Sequence, residues 1–246
     1  MSHINWTLRD APHIAWFLAE QAFFRWLDRR RGMARELALL EHVRSSTPAG
    51  DPLAVLQCMD DFSQRQRFLM SLGPDKGAML RQLLQQYRPH NALEIGTYCG
   101  YSAVLMSSEV RAWNGEVTTL EISRRNTRVA RGVVEHAGLS RHVISINATL
   151  ADAIGTLKKP FDFVLLDHWK DEYLADLHRL EAAGLLAEGA VVMADNIGFF
   201  RVPDYLDYVR SNPQYRSRFI ASSVEYHPRL PDGVEISIFA GRGDAV

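Results

Sequence analysis

The stretch FDFVLLDHWKDEY, residues 161–173, is an apolar run that ends abruptly in charged and aromatic side chains. A buried strand followed at once by Asp167 and Lys170 predicts that reactive groups stand at the tip of that strand. A second apolar run, GAVVMADN, ends in the same way in Asp195 and Asn196. In an open parallel sheet the carboxyl ends of the strands line the ligand crevice, so we expect the side-chain oxygens of both tips to converge.

Two carboxylates and one amide, with no clear His or Cys beside them, form the hard-oxygen set that binds Mg²⁺. The simpler alternative is that each Asp only caps the next helix, but three oxygen groups at two tips favour the metal. His168 is expected to point to the other face and to serve packing or to support a ligand. Lys170 near a cation would lose its proton more readily and could deprotonate a metal-bound phenol. The alternative for Lys170 is a solvated side chain on the first turn of the next helix.

The motif LEIGTYCGYS puts Gly96 and Gly100 between a strand and a helix, where a ligand can approach the backbone amides closely. The spacing G-x-x-x-G differs from the G-x-G-x-x-G of dinucleotide sites and argues against a pyrophosphate cradle. Glu94 precedes the glycines, and Glu121 ends the next strand, where a carboxylate can accept both hydroxyls of a ribose. Alternatively, Glu121 caps the helix that starts near Ser123. The two acids suit a nucleoside that carries an ammonium group and no phosphate, and S-adenosylmethionine is such a ligand.

The composition is that of one globular domain with a short accessory segment, since 246 residues include 47% hydrophobic and 23% charged side chains. The formal net charge of -1 argues against a nucleic-acid scaffold and against a ligand held by bulk charge. The two cysteines, Cys58 and Cys99, provide neither a disulfide framework nor a zinc set. This usage fits a reducing compartment, and we expect a cytoplasmic protein.

Five short apolar runs alternate with helical stretches along the middle of the chain: ALEIG, EVTTLEI, HVISIN, FDFVLLD and AVVMAD. This alternation predicts an α/β fold whose parallel sheet is covered by helices on both faces. The last part, RFIASSVEYHPRLPDGVEISIFAG, predicts an antiparallel hairpin around a Pro-Asp-Gly turn. Before the sheet the pattern is helical from Pro52 to about Tyr87, interrupted in SLGPDKG by a loop that we expect to act as a lid.

The N-terminal stretch APHIAWFLAEQAFFRWLDRRRG is the most apolar and aromatic part of the chain. Polar residues interrupt it too often for a membrane span, and it lacks the basic start and cleavage site of a signal peptide. Its aromatic residues fall all round a helical wheel, which predicts a helix that is buried by a partner or lies at an interface. Packing against its own domain or a second copy is favoured, with docking on a membrane surface as the alternative.

Seven motifs occur in the order found in the catechol O-methyltransferase family, which the chain resembles from Glu36 to Gly241: GDP, SLGPDKG, LEIGTYCGYSAVLM, LLDHWKDEYL, GLLAEGAVVMADN, PDYLDYVR and SSVEY…DGVE. The resemblance implies a Rossmann-like, seven-stranded methyltransferase domain at residues 36–246, preceded by a helical extension at residues 1–35. It also implies that the enzyme transfers a methyl group from S-adenosylmethionine to one hydroxyl of a small catechol, with Mg²⁺ chelating both oxygens.

The same resemblance assigns roles to individual residues. The implied metal ligands are Asp167, Asp195 and Asn196, with Lys170 as the base and Glu225 as the partner of the second hydroxyl. The implied contacts of the cofactor are, from its methionine end to its adenine, Glu94, Gly96, Tyr98, Ser102, Met70, Leu72, Glu121, Ile122 and Trp169. The implied contacts of the acceptor are Phe68, Trp169, Asn196, Phe200 and Glu225.

The sequence departs from the family pattern at two sites. Leu150 and Ala151 stand where the family commonly has a Ser-Gln pair that contacts adenine, so we expect the adenine contacts to be weaker or rebuilt. Phe68 and Phe200 stand where the family commonly has a Trp and a Pro beside the catechol ring. The physiological catechol and the choice between its two hydroxyls therefore stay open.

Three other functions are compatible with parts of this pattern. A non-catalytic S-adenosylmethionine-binding scaffold, with the aromatic N-terminal helix as its partner surface, has no need of the full set of acids, lysine and glutamate. An NAD-dependent dehydrogenase is disfavoured by the glycine spacing and by the absence of a second substrate domain. The nearest rival is a methyltransferase for another vicinal diol, such as a caffeoyl compound, because a chelated metal selects adjacent oxygens above all.

Overall fold

The computed structural model describes residues 11–200 and 202–241, and the strands in this part of the chain form one mixed sheet. In chain order they are β1 (Asn91–Ile95), β2 (Glu116–Leu120), β3 (Val143–Ile146), β4 (Phe161–Leu166), β5 (Leu186–Ala194), β6 (Tyr215–Val224) and β7 (His227–Phe239). Their spatial order is β3-β2-β1-β4-β5-β7-β6, with β1 to β5 parallel and β7 antiparallel to both of its neighbours. The predicted Rossmann-like fold, with its mostly parallel sheet and C-terminal antiparallel pair, is confirmed.

Helices cover both faces of this sheet, and they are α1 (Ala11–Arg31), α2 (Arg35–Ser46), α3 (Pro52–Arg65), α4 (Gly73–Tyr87), α5 (Tyr101–Val110), α6 (Arg124–His136), α7 (Leu150–Ala153), α8 (Tyr173–Ala182) and α9 (Pro203–Ser211). Strand β4 is apolar on both sides because successive side chains enter different cores. Phe163 and Leu165 pack into the core beneath α2 to α6. Val164 and Leu166 pack into the core beneath α7 to α9. The carboxyl end of β4 therefore emerges between two packed layers.

The loop that we expected in SLGPDKG is shorter than the motif. Helix α4 begins at Gly73, with Pro74 in its first turn, so the prediction of a loop is wrong for residues 73–77. Proline suits this position because its fixed φ matches the helix and its missing N–H would have no partner there. The connection between α3 and α4 spans residues 66–72 instead.

The C-terminal hairpin is present, but its turn is not at Pro-Asp-Gly. The turn is Glu225–Tyr226, between the paired residues Val224 and His227, and Tyr226 has the left-handed φ of 60°. Asp232 and Gly233 lie inside β7 and pair with β6. Glycine is required in this strand because a Cβ would collide with the ring of Phe219. The predicted position of the turn is therefore wrong, and Asp232 is a buried strand residue instead of an exposed turn residue.

Helix α1 packs on the body through one side. Phe17 is buried together with Phe68, Val224 and Leu230, whereas Phe23 and Trp26 are exposed. No helix within residues 11–200 and 202–241 has the length and apolarity that crossing a bilayer requires.

Candidate active site

The tips of β1 and β4 approach each other at a glycine. Gly96 has a φ of 103°, and a Cβ there would collide with the carbonyl oxygen of Asp167. The amide of Asp167 donates a hydrogen bond to the carbonyl of Ile95 at 2.9 Å. Since only glycine permits both the positive φ and this close approach, Gly96 is needed to bring the two tips together.

Glu94 is completely buried at the end of β1. It accepts a hydrogen bond from the hydroxyl of Thr119, and its Oε1 has no hydrogen-bond partner among the described residues. Burial raises the pKa of Glu94 to about 7, although the nearby hydroxyls of Ser102 and Thr119 lower it. A cation beside this carboxylate would stabilise its ionised form and give Oε1 a partner, which fits the predicted contact with the ammonium of the methionine moiety.

Glu121, at the end of β2, organises the loop that follows β1. Its Oε2 accepts from the amide of Tyr98 at 2.8 Å, and its Oε1 accepts from the amide of Ser123 at 2.8 Å. Tyr98 needs this support because its φ of 48° lies in the left-handed region. The cap of α6 is Ser123, whose hydroxyl accepts from the amide of Asn126 at 3.3 Å. Glu121 thus does more than cap a helix, and each of its oxygens keeps a lone pair for a ligand hydroxyl.

The residues predicted to touch the rest of the cofactor include large apolar side chains that stand in solvent. Trp169 is 74% exposed, Ile122 is 57% exposed and Met70 is 42% exposed, whereas Leu72 is buried. Exposed apolar side chains beside a crevice fit a surface that a flat, apolar ring would cover. At the departure from the family pattern, Leu150 is buried. Position 151 offers only an exposed methyl group, so this pair contributes no polar side chain to adenine.

Lys170 lies in a single 3₁₀ turn after β4 and is enclosed rather than solvated. Its Nζ lies 3.3 Å from Asp167 Oδ1 and donates to the hydroxyl of Tyr173 at 2.8 Å. Tyr173 in turn donates to the carbonyl of Leu166 at 2.7 Å, which fixes the phenol. The Lys170 ammonium also stands 5.9 Å from the ring of Phe200. The amine is thus held over the tip of β4.

His168 faces away from this cluster, as the sequence predicted. Its Nε2 lies 2.9 Å from Asp176 Oδ2 in α8, and its ring lies 5.1 Å from the ring of Tyr173. The histidine therefore braces the tyrosine that holds Lys170.

Four buried charged residues meet where β5 and the β6–β7 turn come together. The Nζ atom of Lys76 lies 2.8 Å from Asp195 Oδ1, 2.6 Å from Glu225 Oε1 and 2.6 Å from Asp232 Oδ2. Burial lowers the pKa of the Lys76 ammonium, but the three carboxylates, Asp195 first, raise it well above its usual value overall. One ammonium faces three carboxylates, so the cluster keeps an excess of negative charge.

Asn196 joins this cluster from the residue after Asp195. Its φ is 54°, and its Nδ2 donates to Glu225 Oε1 and to Asp232 Oδ2, each at 2.9 Å. Asp167 stands on the neighbouring tip beside Lys170. Burial raises the pKa of Asp167, the Lys170 charge lowers it, and the Glu225 charge raises it. The predicted residues of the two tips are therefore close enough to act on one another electrostatically.

Three carboxylates of this region lie close enough together to hold a cation, and the Lys76 ammonium lies among them. Ligand oxygens of Asp195, Glu225 and Asp232 all lie within 4.8 Å of one another. The buried atoms Asp195 Oδ2 and Glu225 Oε2 have no hydrogen-bond partner among the described residues. Burial, before any other cause, raises the pKa of Asp195 well above its usual value. A bound metal would stabilise the ionised form of such acids and would give these oxygen atoms a partner.

Sequence reasoning missed Lys76 and Asp232 as members of the cluster. Lys76 belongs to a motif that was interpreted as a loop, and Asp232 to one that was interpreted as a turn. Asp232 also accepts from the amides of Gly198 and Phe199 at 3.1 Å and 2.8 Å, so it ties the segment after β5 to β7. The available signal was charge, since each residue is an ionisable group within an otherwise apolar or glycine-rich motif.

A cavity of about 460 Å³ opens beside Glu225 and Lys76. Of the residues predicted to contact the acceptor, Phe68 and Glu225 line this cavity, whereas Phe200 is not among its lining residues and lies 5.9 Å from Lys170 Nζ. The size is that of a small-molecule pocket.

Comparison with known proteins agrees with this geometry. The family model described as O-methyltransferase matches residues 46–207. Catechol O-methyltransferase B of Danio rerio is 37% identical over 222 residues, which cover 88% of this chain and 83% of that protein. Catechol O-methyltransferase of Bos taurus is 36% identical over 215 residues, which cover 85% of this chain and 78% of that protein.

The fold is also found among solved structures. An O-methyltransferase from Bacillus cereus, crystallised in complex with SAH, superposes with a TM-score of 0.65 at 22% identity. The match covers 82% of this chain and 97% of that one. From the family match and the two relatives, the chain belongs to the O-methyltransferase family, in the group of the catechol O-methyltransferases.

Proposed function

We propose that the protein transfers a methyl group from S-adenosylmethionine to one hydroxyl of a catechol with the help of Mg²⁺. One observation carries the proposal: the Lys170 amine stands beside Asp167, next to a buried cluster in which three carboxylates share the single ammonium of Lys76. The names of the relatives, which are catechol O-methyltransferases, support the same acceptor. A non-catalytic scaffold has no use for such a cluster, because burying three carboxylates with one ammonium leaves uncompensated charge, which destabilises a fold.

The donor would bind along the tips of β1 and β2. Glu94 would accept hydrogen bonds from the ammonium group, and the free lone pairs of Glu121 would accept from the ribose hydroxyls. Ile122 and Trp169 would enclose the adenine. The exposure of these two apolar side chains supports this assignment.

The metal would be held by Asp167, Asp195 and Asn196. When bound, Mg²⁺ acts as a Lewis acid that makes the acceptor hydroxyl more acidic and holds two adjacent oxygens in a fixed orientation. Glu225 would accept a hydrogen bond from the second hydroxyl through its unpartnered Oε2. Lys76 and Asp232 would keep Glu225 in place.

Lys170 would take the proton from the attacking hydroxyl. The new bond joins the phenolate oxygen to the methyl carbon, and the bond from that carbon to sulfur breaks, leaving a neutral thioether. The sulfonium methyl is already activated, so much of the rate comes from holding oxygen and carbon in line, worth about 7–11 kcal/mol in favourable cases. Tyr173 keeps the Lys170 amine at the strand tip through its 2.8 Å hydrogen bond.

The exposed side of α1 bears on a further prediction, which concerns the surface that this helix offers to a partner. Leu18, Phe23 and Trp26 are exposed on α1, so self-association or docking on a membrane surface through this helix stays a prediction. The cysteine usage of the sequence supports a cytoplasmic location.

The first test is methyl transfer from labelled S-adenosylmethionine to catechol, with Mg²⁺ and then with excess EDTA. We expect product that disappears with EDTA, and none from phenol, which lacks the second oxygen. Equal rates with and without EDTA would refute the role of the metal. No product from catechol, despite binding of the donor by calorimetry, would favour the scaffold or a narrower vicinal diol such as a caffeoyl compound.

A further inference from the structure

Helix α1 is fixed to the body through buried charges near its C-terminal end. Asp28 accepts from Arg35 Nε at 2.8 Å and from Arg67 Nη1 at 3.0 Å. Arg35 Nη1 also donates to the carbonyl of Phe68 at 2.9 Å. The network therefore joins α1 to the backbone of a residue that lines the cavity beside Glu225.

Aromatic contacts join α1 to the same cavity a few turns earlier. The ring of Phe17 lies edge-on to Phe68 at 5.7 Å and to His227 at 5.1 Å. His227 follows the turn that carries Glu225, and its ring lies 5.1 Å from the ring of Phe68, so Phe17 packs against two adjoining residues that line the cavity. Edge-to-face contacts of this kind fix rings in one orientation.

Two further side chains of α1 form part of the cavity surface itself. Trp16 and Glu20 line it, together with Lys76 and Glu225. Glu20 Oε2 lies 2.8 Å from His227 Nε2, and the Trp16 ring lies 5.7 Å from the His227 ring. The cavity is thus lined both by buried charged groups, Lys76 and Glu225, and by the more exposed side chains of α1.

We infer that α1 is the outer wall of the acceptor site and that Trp16 selects among catechols by the substituent on their ring. The inference rests on the proposed function, because that function puts the hydroxyls at Glu225. A catechol held there by its hydroxyls directs a substituent at ring carbon 4 outward, toward α1. Trp16 then offers an aromatic face to that substituent, while Glu20, paired with His227, holds the helix at this distance.

The test compares two tryptophans of the same helix. Trp16 is 60% exposed and lines the cavity, whereas Trp26 is 48% exposed and contacts Phe23 and Arg30 instead. The measured quantity is the ratio of kcat/KM for 4-phenylcatechol to kcat/KM for catechol. We expect Trp16→Ala to lower this ratio by about three- to tenfold, the value of one aromatic contact. Trp26→Ala should leave the ratio at the wild-type value, and far-UV circular dichroism checks that both variants fold.

A second readout does not depend on turnover. Hydrogen exchange is followed in the wild-type protein with Mg²⁺ and S-adenosylhomocysteine, before and after addition of 4-phenylcatechol. We expect slower exchange at residues 16–20 on addition, and a smaller change on addition of catechol.

The outcomes separate this inference from the proposed function. Equal ratios for Trp16→Ala and Trp26→Ala, or unchanged exchange at residues 16–20 while the β6–β7 turn becomes protected, would overturn the role of α1 alone. Failure of the wild-type protein to methylate either catechol would overturn the proposed function, and the assignment of α1 to an acceptor site with it.

Discussion

The donor side and the acceptor side of this site are built in different ways. The donor side takes Glu94, Tyr98 and Glu121 from two neighbouring strand tips, and the hydrogen bond between Tyr98 and Glu121 spans 23 positions of the chain. The acceptor side joins Lys76 to Glu225 and Asp232 across 149 and 156 positions. The donor side is therefore a local property of the sheet, whereas the acceptor side exists only when distant segments pack together.

The two sides also differ in charge. The donor side has one deeply buried acid, Glu94, whose pKa burial raises to about 7. The acceptor side has three carboxylates around the ammonium of Lys76, beside the pair formed by Asp167 and Lys170. A singly charged cation is enough to complete the first, and a divalent cation fits the second. Each side is thus electrostatically matched to a different partner in the proposed reaction.

The largest expected effect separates the two sides completely. Lys170→Ala removes the proposed base, so kcat should fall by about 10²- to 10⁴-fold. Binding of S-adenosylmethionine, measured by calorimetry, should stay within about twofold, because Glu94 and Glu121 are held by hydrogen bonds to groups other than Lys170. The matched control is Lys158→Ala, since Lys158 donates only to the carbonyl of Gly155 at 3.0 Å in an exposed position. Comparable losses of turnover and donor binding would mean that Lys170 is structural.

The next effect tests whether the acceptor side is held together by its single cation. Lys76→Met leaves three buried carboxylates without a counter-charge, which should lower the free energy of unfolding by about 3–5 kcal/mol. Without the ammonium the carboxylates take up protons more readily, so the deficit should be larger at pH 8 than at pH 5.5. Added Mg²⁺ should restore part of it. Urea titrations at both pH values, with and without Mg²⁺, measure these differences.

A surface ion pair provides the control for Lys76. Arg81→Met breaks a pair with Glu109 whose arginine side chain is 39% exposed, and the cost should stay below about 1 kcal/mol. If Lys76→Met costs no more than Arg81→Met, the buried cluster is not the stabilising unit of the acceptor side.

The same contrast explains what the sequence predicted and what it did not. Strands β1 to β5 were predicted because each is an apolar run bounded by polar residues and followed by a helix. Glu94, Asp167 and Asp195 were predicted as site residues because a strand tip in such a sheet faces the crevice. These signals are local, so neighbouring residues in the sequence are enough to reveal them.

The missed residues depend on tertiary contacts that override local preference. Pro-Asp-Gly is a strong turn signal, yet Gly233 lies in β7 and pairs with β6. The Asp232 side chain accepts hydrogen bonds from Lys76 and from two backbone amides. Likewise, the role of α1 depends on contacts of Phe17 and Asp28 with segments far along the chain. No local pattern encodes such pairings.

The smallest of the effects concerns the donor side, and it has opposite signs with and without ligand. Burial raises the pKa of Glu94 from 4.5 to about 7, so its ionised form is disfavoured in the ligand-free fold. At about 1.4 kcal/mol per pH unit, the acid destabilises the free protein by about 3 kcal/mol above pH 7. This cost falls as the pH falls from 7 toward 4.5, where the group is protonated in the folded state and half protonated in the unfolded state, and it vanishes at lower pH. Glu94→Gln should therefore stabilise the ligand-free protein at pH 8 and have little effect at pH 4.5.

In the presence of the donor the sign reverses, because the amide of the variant no longer supplies a negative charge for an ammonium group. Calorimetry should give a weaker affinity for S-adenosylmethionine in Glu94→Gln at pH 8, and in the wild type the affinity should fall as the pH drops below about 7. Glu116→Gln, at the exposed start of β2, is the matched control and should change neither quantity. Unchanged donor affinity of Glu94→Gln at both pH values would contradict this comparison. The donor side would then bind its ligand without the charge of Glu94, the most deeply buried acid on that side.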